Sequence, residues 1–212
     1  MGVKLLLASS NAGKLREYRA LAADSPCQQR IEKQIKERQI EIELLPGFDG
    51  FPAFAEDEPT FAENAAGKAL HYSRFSSEIV FADDSGLVVP SLGGAPGVRS
   101  ARYAGKNASD AERNAKLLAE LRGKTGDERR ARFVCVIAAA KCGKMLAVVS
   151  DFVEGAIASE PRGSSGFGYD PVFYFAPAGK TFGELAPLEK NAASHRGKAF
   201  LKLRGALRTD RE

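Results

Sequence analysis

Histidine and cysteine are scarce in this chain of 212 residues, which contains two of the first and three of the second. With only His71 and His195 available, a zinc site made of several histidines is excluded, and any metal must be held by oxygen ligands. Cys27, Cys135 and Cys142 are odd in number and lack the spacing of metal ligands. We therefore expect reduced thiols, no disulfide framework and a cytoplasmic location.

Long apolar runs are also missing. No uncharged apolar stretch reaches about 18 residues, so we expect no membrane-spanning helix. Residues 5–8 form an apolar run ahead of Lys14 and Arg16, but this run is too short for the hydrophobic region of a signal peptide. The sequence therefore predicts a protein that is neither secreted nor inserted in a membrane.

Charge and composition limit the class of partner. The chain has 31 Lys and Arg against 27 Asp and Glu, a net charge of +4 and a pI near 9.0. This modest excess permits a phosphate-bearing small molecule as well as a nucleic acid. With 44% hydrophobic residues and no internal repeat, residues 1–212 are predicted to form one globular domain.

Strand and helix signals alternate along the chain, which predicts an α/β fold. Capping boxes at residues 60–63 and 109–112 mark two helix starts. Phe200, Leu203 and Leu207 are expected to face the core from the last helix. We predict strands at residues 4–8, 40–44, 79–82, 87–89, 132–140, 145–153, 155–159 and 172–175, and helices at residues 14–23, 27–38, 60–75 and 109–123 and at the C-terminal end.

The loop between the first strand and the first helix resembles a phosphate-binding turn. It consists of Ser9, Ser10, Asn11, Ala12, Gly13 and Lys14. Small residues let backbone amides converge at a helix N-terminus, and the lysine adds a positive charge. The loop is not a Walker A motif, which needs glycine where Ala8 stands and serine or threonine where Leu15 stands. A plain strand-to-helix turn is the alternative interpretation.

Asp83 and Asp84 are adjacent carboxylates at the predicted end of a strand, where ligand crevices form in α/β sheets. Mg²⁺ is held by one or two carboxylates together with waters and substrate phosphates. Asp84 and one glutamate from the acidic loop at residues 48–59 would therefore be sufficient. The alternative is an Asx turn in which either aspartate bonds amides of its own loop.

Two later stretches carry side chains suited to a ligand. In residues 166–171, Phe167 can stack on a nucleobase, although packing of the aromatic residues into the core is the alternative. Lys190, His195 and Arg196 offer hydrogen-bond donors at the start of the last helix, which suits an anionic or carbonyl-rich ligand.

Six segments occur in the order SSNAGK, TFAENAAGKA, FADDSGL, GGAPGVRSARYAG, GFGYDPVF and LEKNAASHRGKA. Together they resemble the non-canonical purine NTP pyrophosphatase family, also called the inosine triphosphate pyrophosphatase or Ham1-like family, over residues 5–207. The resemblance implies an elongated mixed β-sheet flanked by helices, with two lobes around a central substrate cleft. It also implies a homodimer that clears ITP, dITP and XTP from the nucleotide pool by Mg²⁺-dependent hydrolysis to the monophosphate and pyrophosphate.

The resemblance also implies roles for individual residues. Asp84 would be the catalytic carboxylate and a metal ligand, with Ser85 beside it. The loop from Ser9 to Lys14 would bind the triphosphate and sugar together with Lys68. The base pocket would consist of Phe167, Gly168, Tyr169, Asp170, Lys190, His195 and Arg196.

The sequence departs from the family pattern in two places. Residues 24–54 are longer and more charged than the usual connection, so we interpret them as an insertion. The acidic segment at residues 56–58 is one residue short. The second metal ligand is therefore open between Glu56 and Glu58, and Glu56 is preferred.

The donors in the base pocket suggest how adenine is rejected. Hypoxanthine and xanthine carry a carbonyl at C6, which Arg196 and His195 can pair. Adenine carries an amino group there, and each donor left buried and unpaired would cost about 1 to 3 kcal/mol. Guanine shares the C6 carbonyl and must be excluded at C2.

Two other functions remain as alternatives. Septum-formation-inhibitor-like pyrophosphatases resemble the same fold and act on modified pyrimidine or other nucleotides, although the GFGYDP and SHRG segments argue against them. A basic nucleic-acid-binding module is suggested by the pI of 9.0 and the charged stretch at residues 198–211. A solvated helix face explains those charges more simply.

Overall fold

The computed structural model describes residues 3–23 and 40–209. The helix predicted at residues 27–38 lies outside the described residues, as do residues 24–39 of the predicted insertion. Among the described residues, no helix is both long and apolar enough to cross a bilayer.

Within the described ranges, strands and helices alternate up to residue 130, as the sequence predicts, and four strands then follow one another before the two last helices. The strands are β1 (Val3–Leu7), β2 (Ile40–Leu44), β3 (Ile79–Val88), β4 (Arg130–Lys141), β5 (Lys144–Ile157), β6 (Phe173–Phe175) and β7 (Lys180–Thr181). The helices are α1 (Ala12–Ala23), α2 (Phe61–Tyr72), α3 (Asp110–Glu120), α4 (Pro187–Ala193) and α5 (His195–Thr209), with short 3-10 turns between several elements.

The strands form one seven-stranded mixed sheet in the order β2-β1-β3-β4-β5-β6-β7. β1 runs parallel to both β2 and β3, whereas β6 runs antiparallel to both β5 and β7. The predicted α/β class and mixed sheet are therefore confirmed.

The chain divides into two compact units. The first comprises the chain up to Asp84, Val136–Ser150 and the chain from Gly197 onward. The second comprises Ser85–Cys135 and Asp151–Arg196.

In the first unit, α2 packs small residues against the sheet. Ala65 and Ala69, one helical turn apart, are fully buried in a cluster with Val80 and Ala82 of β3. A second group of buried side chains joins Tyr18 to Phe81 and Phe200, with ring centroids 5.1 and 5.5 Å from that of Tyr18. Phe200 and Leu203 are buried as predicted, whereas Leu207 is only partly buried.

In the second unit, α3 begins with the predicted capping box. The Ser109 hydroxyl accepts from the Glu112 amide at 3.2 Å, and the Glu112 carboxylate accepts from the Ser109 amide at 2.7 Å. These bonds satisfy amides that have no partner inside the helix. The helix then buries Leu117 and Leu121 in a cluster with Phe133, Phe173 and Phe182, among others.

The prediction that a strand ends at Asp83 is wrong, because β3 continues without a break from Ile79 to Val88. The segment Asp83–Gly86 resembles a break because aspartate and glycine are uncommon in strands. It is the neighbouring strand β1 that ends here, since its last residue, Leu7, lies opposite Phe81. The two aspartates therefore lie just past the carboxyl end of β1.

Three other boundaries differ from the prediction. The strands predicted at residues 145–153 and 155–159 form the single strand β5, which follows a tight turn with Cys142 at φ 50° and Gly143 at φ 75°. The single helix predicted at the end of the chain is two helices, α4 and α5, separated by Ser194. Helix α1 begins at Ala12, two residues earlier than predicted.

The Arg129 guanidinium connects the end of α3 to the end of β5. It donates to the carbonyls of Leu121 at 3.0 Å and Lys124 at 3.4 Å, just after the helix. It also donates to the carbonyls of Ile157 at 2.7 Å and Ala158 at 2.6 Å. One side chain thus satisfies carbonyls at a helix end that have no partner inside the helix.

Replacing Arg129 by alanine should lower the free energy of unfolding by about 2 to 4 kcal/mol, because hydrogen bonds from a charged donor are lost together. Arg130→Ala is the matched control, since its side chain is 71% exposed and pairs only at the surface with Asp127. The control should cost less than about 1 kcal/mol. Urea unfolding of both variants measures the difference, and equal losses would contradict the role of Arg129.

Candidate active site

The predicted phosphate loop connects β1 to α1 and is ordered by its own polar side chains. Ser9 Oγ accepts from the Asn11 amide at 3.1 Å, and Asn11 Oδ1 accepts from the Lys14 amide at 3.0 Å. The second bond caps the start of α1, where amide groups have no helical partner. Ser10, Asn11 and Ala12 are exposed, whereas Gly13 is buried. The turn thus presents three exposed residues at a helix N-terminus.

Lys14, in the first turn of α1, reaches the buried end of the β1–β3 pair. Its Nζ lies 2.9 Å from Asp83 Oδ1 and donates to the Asp83 carbonyl at 3.4 Å. The Asp83 side chain is fully buried and that of Lys14 is 14% exposed. Because a buried charge is costly unless it is paired, this contact holds the lysine and the aspartate together.

The acidic loop lies along one face of α2. Asn64 Oδ1 accepts from the Glu58 amide and Asn64 Nδ2 donates to the Glu58 carbonyl, each at 3.1 Å. Further along the loop, Lys68 Nζ lies 2.7 Å from Glu56 Oε1. Phe54 packs over Gly67, where an added Cβ would lie 2.4 Å from the ring. This alignment turns Glu56 toward the buried Lys68 and leaves Glu58 exposed.

Asp84, which follows Asp83 in β3, is a buried carboxyl group with a raised pKa. Burial raises its pKa from 3.8 to about 6, while the ammonium groups of Lys14 and Lys68 oppose the rise. The negative charges of Glu56 and Asp83 add to it. These four side chains are therefore close enough to Asp84 to act on its charge, and a carboxyl with such a pKa is a candidate for proton transfer near neutral pH.

The oxygen donors near Asp84 suit a magnesium ion that arrives with a phosphate ligand. Within residues 3–23 and 40–209, no group of three or more His, Cys, Asp and Glu side chains is arranged to enclose a metal ion. Mg²⁺ does not need such a cage, because it keeps several waters and binds one or two carboxylates plus substrate phosphates. Asp84 and Glu56 supply carboxylates of this kind.

In the second unit, a buried ion pair organises the glycine-rich loop at residues 166–170. Lys190 Nζ, from α4, lies 2.6 Å from Asp170 Oδ2, and both side chains are at most 5% exposed. The same carboxylate oxygen accepts from the Phe167 amide at 2.7 Å. Gly166 must lack a side chain, since an added Cβ would lie 2.1 Å from Asp170 Oδ2.

Phe167 is the aromatic residue of this loop that stays partly exposed. Lys190 Nζ lies 5.0 Å and Arg196 Cζ 5.4 Å from its ring centroid, within the range of cation–π contacts. Arg196 also donates from Nη2 to Ser85 Oγ at 2.8 Å. The loop thus presents one flat ring with two hydrogen-bond donors beside it.

Tyr169 and His195, which the sequence also places in this group, contact other residues of the second unit. Tyr169 is buried in the core and donates its hydroxyl to the Ser100 carbonyl at 2.9 Å. His195, at the start of α5, is 4% exposed and stacks on Phe133 with ring centroids 4.7 Å apart. The packing alternative considered for the aromatic pair therefore applies to Tyr169 and not to Phe167.

Sequence reasoning missed several side chains that hold these groups in place. Asp83 pairs with Lys14, Asn64 fixes the acidic loop, and Asp110 and Asn114 bind the backbone of Gly168. Only Asn64 acts within its own sequence neighbourhood, six residues from Glu58. Its place one turn after the Thr60 cap was a usable signal.

The first unit therefore holds a buried carboxylate on whose charge two lysines act, and the second holds a partly exposed aromatic ring beside cationic side chains. The sequence matches the model of the Ham1 family over residues 5–206. The chain belongs to this family.

Relatives and solved structures agree with the family. The chain is 50% identical over 200 residues to a dITP/XTP pyrophosphatase of Geobacillus kaustophilus, covering 94% of this chain and 92% of that protein. It is 46% identical over 199 residues to a dITP/XTP pyrophosphatase of Syntrophobacter fumaroxidans, covering 94% and 79%. The structure of a HAM1 protein from Coxiella burnetii matches with a TM-score of 0.79 at 41% identity, covering 97% of this chain and 98% of that one. That of the Staphylococcus aureus Ham1 protein matches with a TM-score of 0.79 at 35% identity, covering 98% and 100%.

The raised pKa of Asp84 predicts a pH-dependent effect of Asp84→Asn on stability. In the unfolded chain an aspartate titrates near pH 3.9, so between about pH 4 and pH 6 the folded wild type binds more protons and loses stability as the pH rises. Asparagine cannot ionise and escapes this loss. We compare the free energy of unfolding of Asp84→Asn with that of the wild type at each pH. The difference, in favour of the variant, should be larger at pH 7 than at pH 4 by up to about 3 kcal/mol.

Urea unfolding in the presence of a chelator measures this difference, because bound metal would offset it. Asp49→Asn, at an exposed position, is the control and should show no comparable change with pH. A wild type that gains stability over Asp84→Asn as the pH rises would contradict the burial effect.

Proposed function

We propose that the chain hydrolyses the deaminated purine triphosphates ITP, dITP and XTP to the nucleoside monophosphate and pyrophosphate, with Mg²⁺ as cofactor. The reaction clears these nucleotides from the pool. The observation that carries the proposal is Asp84, a buried carboxylate with a pKa raised to about 6 by burial and with Lys14 and Lys68 acting on its charge. The names of the relatives at 50% and 46% identity supply the substrate class.

The triphosphate end of the substrate would bind to side chains of the first unit. The turn of Ser9, Ser10, Asn11, Ala12 and Gly13, of which Ser10, Asn11 and Ala12 are exposed, offers backbone amides at the N-terminus of α1, where anions bind favourably. Lys14 and Lys68 supply positive charge and are already oriented by Asp83 and Glu56. Phosphoryl transfer depends mainly on such positioning and charge neutralisation.

Asp84 would act on the attacking water. A carboxylate that titrates near pH 6 is largely ionised at neutral pH, yet is basic enough to accept or orient a proton of that water. Asp84 and Glu56 would also hold Mg²⁺, and Glu56 is preferred over Glu58 because it is turned toward Lys68. When bound, the ion supplies charge neutralisation on the phosphate oxygens.

The base would bind to side chains of the second unit. Phe167 offers a partly exposed ring for stacking, and Gly168 keeps the adjacent backbone free of a side chain. Asp170 and Tyr169 support the loop from within the core, through Lys190 and through the Ser100 carbonyl. Ser85, which directly follows Asp84 in the chain, holds Arg196 by a hydrogen bond.

Selection against adenine would rest on donors that need a carbonyl partner. Arg196 and Lys190 lie beside the Phe167 ring, and His195 begins the same helix as Arg196. A C6 carbonyl can accept hydrogen bonds from such donors, whereas the amino group of adenine cannot.

We further propose that the enzyme is a cytoplasmic homodimer in which residues 1–212 work as one domain, with residues 24–54 as an insertion. The exposure of Val148 and Phe152 on β5, each 48%, is compatible with burial against a second copy. Three cysteines without disulfide spacing suit a reducing compartment.

A panel of nucleoside triphosphates tests the proposal. With Mg²⁺, ITP, dITP and XTP should give monophosphate and pyrophosphate in equal amounts, and turnover of ATP should be at least about 100-fold slower, as expected when an amino group stands in place of the carbonyl acceptor. A chelator should abolish the reaction. Release of orthophosphate and diphosphate, or unchanged turnover with chelator, would overturn the proposal.

The same panel and a nucleic-acid binding assay distinguish the two alternative functions. Faster release of pyrophosphate from dTTP or UTP than from ITP would favour a septum-formation-inhibitor-like enzyme. Strong binding of plain duplex or single strands at about 0.15 M salt would favour a nucleic-acid-binding module, whose affinity falls steeply with salt.

A further inference from the structure

The first two turns of α3 bind the backbone of Gly168 from both sides. The Gly168 amide donates to Asp110 Oδ2 at 2.7 Å, and Asn114 Nδ2 donates to the Gly168 carbonyl at 3.1 Å. Asp110 and Asn114 lie four residues apart and hence on the same face of the helix. Neither residue belongs to the groups for which the resemblance implies a role.

Gly168 is a conformationally free position in the loop that carries Phe167. It adopts the left-handed conformation with φ 65°, as Gly166 does with φ 77°. Glycine pays no steric penalty there and moves freely among other conformations. The amide bound by Asp110 and the carbonyl bound by Asn114 belong to the two peptide planes on either side of the Gly168 Cα. Fixing both planes fixes the φ and ψ of this residue, and with them the direction in which the chain leaves Phe167.

Asn114 is held by burial, whereas Asp110, whose side chain is 44% exposed, is held by an ion pair. Asn114 is 4% exposed. The second carboxylate oxygen of Asp110 pairs with Arg113, and Arg113 also donates to the Ala101 carbonyl at 3.0 Å. The helix start is fixed by the Ser109 capping box. The grip on Gly168 therefore comes from a rigid element and not from another loop.

On the other side of the Phe167 Cα, Asp170 binds the Phe167 amide. Its carboxylate accepts from the Phe167 amide at 2.7 Å and pairs with Lys190. Tyr169, next to Gly168, is fixed in the core through its hydroxyl. The Phe167 amide and the amide and carbonyl of Gly168 are thus bound to side chains, while the Phe167 carbonyl accepts from the Asp170 amide at 3.3 Å.

We propose that Asp110 and Asn114 are positioning residues that set base recognition by locking Gly168, so that the Phe167 ring keeps its place beside Lys190 and Arg196. This inference rests on the proposed function, in which Phe167 stacks on the purine base. Loss of either contact would let the ring move away from the donors that select a C6 carbonyl. Affinity for the base and discrimination against adenine would fall together, while the groups around Asp84 would stay in place.

The test compares Asp110→Ala and Asn114→Leu with two matched variants. Asp110→Asn keeps a carbonyl oxygen that can accept from the Gly168 amide and should retain wild-type behaviour. Glu112→Gln removes a carboxylate from the same helical turn, and Glu112 bonds Ser109 rather than Gly168. Asn114→Ser replaces Asn114→Leu if the buried leucine prevents folding.

For Asp110→Ala and Asn114→Leu, the KM for ITP should rise about tenfold or more, while kcat stays within about threefold of wild type. The ratio of kcat/KM for ITP to kcat/KM for ATP should fall. Calorimetric binding of inosine monophosphate without metal should weaken by a similar factor. Asp110→Asn and Glu112→Gln should differ from wild type by less than about threefold in each quantity.

Two results would overturn the inference. In the first, the test variants match Glu112→Gln in KM, selectivity and monophosphate binding. In the second, they lose ITP and ATP turnover equally along with a lower melting temperature, which is the pattern of a merely structural role. Failure of the proposed function is detected separately, by measuring turnover of ITP by the wild type. If the wild type releases no pyrophosphate from ITP, the function and this inference both fall.

Discussion

The first unit depends on keeping ionised side chains buried beside one another. Asp83 has no solvent exposure and is held at 2.9 Å from Lys14, in the first turn of α1. The next residue, Asp84, is also buried, and its pKa is raised because burial outweighs the effect of two lysines. Such an arrangement opposes folding, since a buried charge is rarely repaid in full by its partners. In the proposed function, this cost in stability is a requirement of the reaction, because active sites commonly cost stability.

The second unit also contains a buried ion pair, which positions a loop. The buried pair of Lys190 and Asp170 fixes the amide of Phe167 in a loop whose glycines would otherwise let it move. A loop held in this way by a rigid scaffold is the usual setting for ligand recognition. In the proposed function, the pair of Lys14 and Asp83 therefore supports the catalytic carboxylate, and the pair of Lys190 and Asp170 supports the aromatic ring that stacks on the base.

The sequence was sufficient for features that depend on neighbouring residues. Alternation of elements predicted the α/β class, and the capping box at Ser109 was found because serine and glutamate three residues apart interact within one turn. It was insufficient at Asp83, where composition indicated a break and pairing with neighbouring strands keeps β3 continuous. Contacts such as Lys14 with Asp83, 69 residues apart, and Asp110 with Gly168, 58 residues apart, leave no local pattern. The candidate residues were identified through six segments that occur in order along the chain. The structure adds the hydrogen bonds and ion pairs that keep these residues in position.

The most direct test of the central claim is to separate turnover from binding in Asp84→Asn. With ITP and Mg²⁺, kcat should fall by about 100-fold or more, while the Kd for ITP, measured by calorimetry, should stay within about threefold of wild type. This pattern is expected of a buried carboxylate that acts on the transition state. A loss of turnover smaller than about threefold in a folded variant would contradict the account.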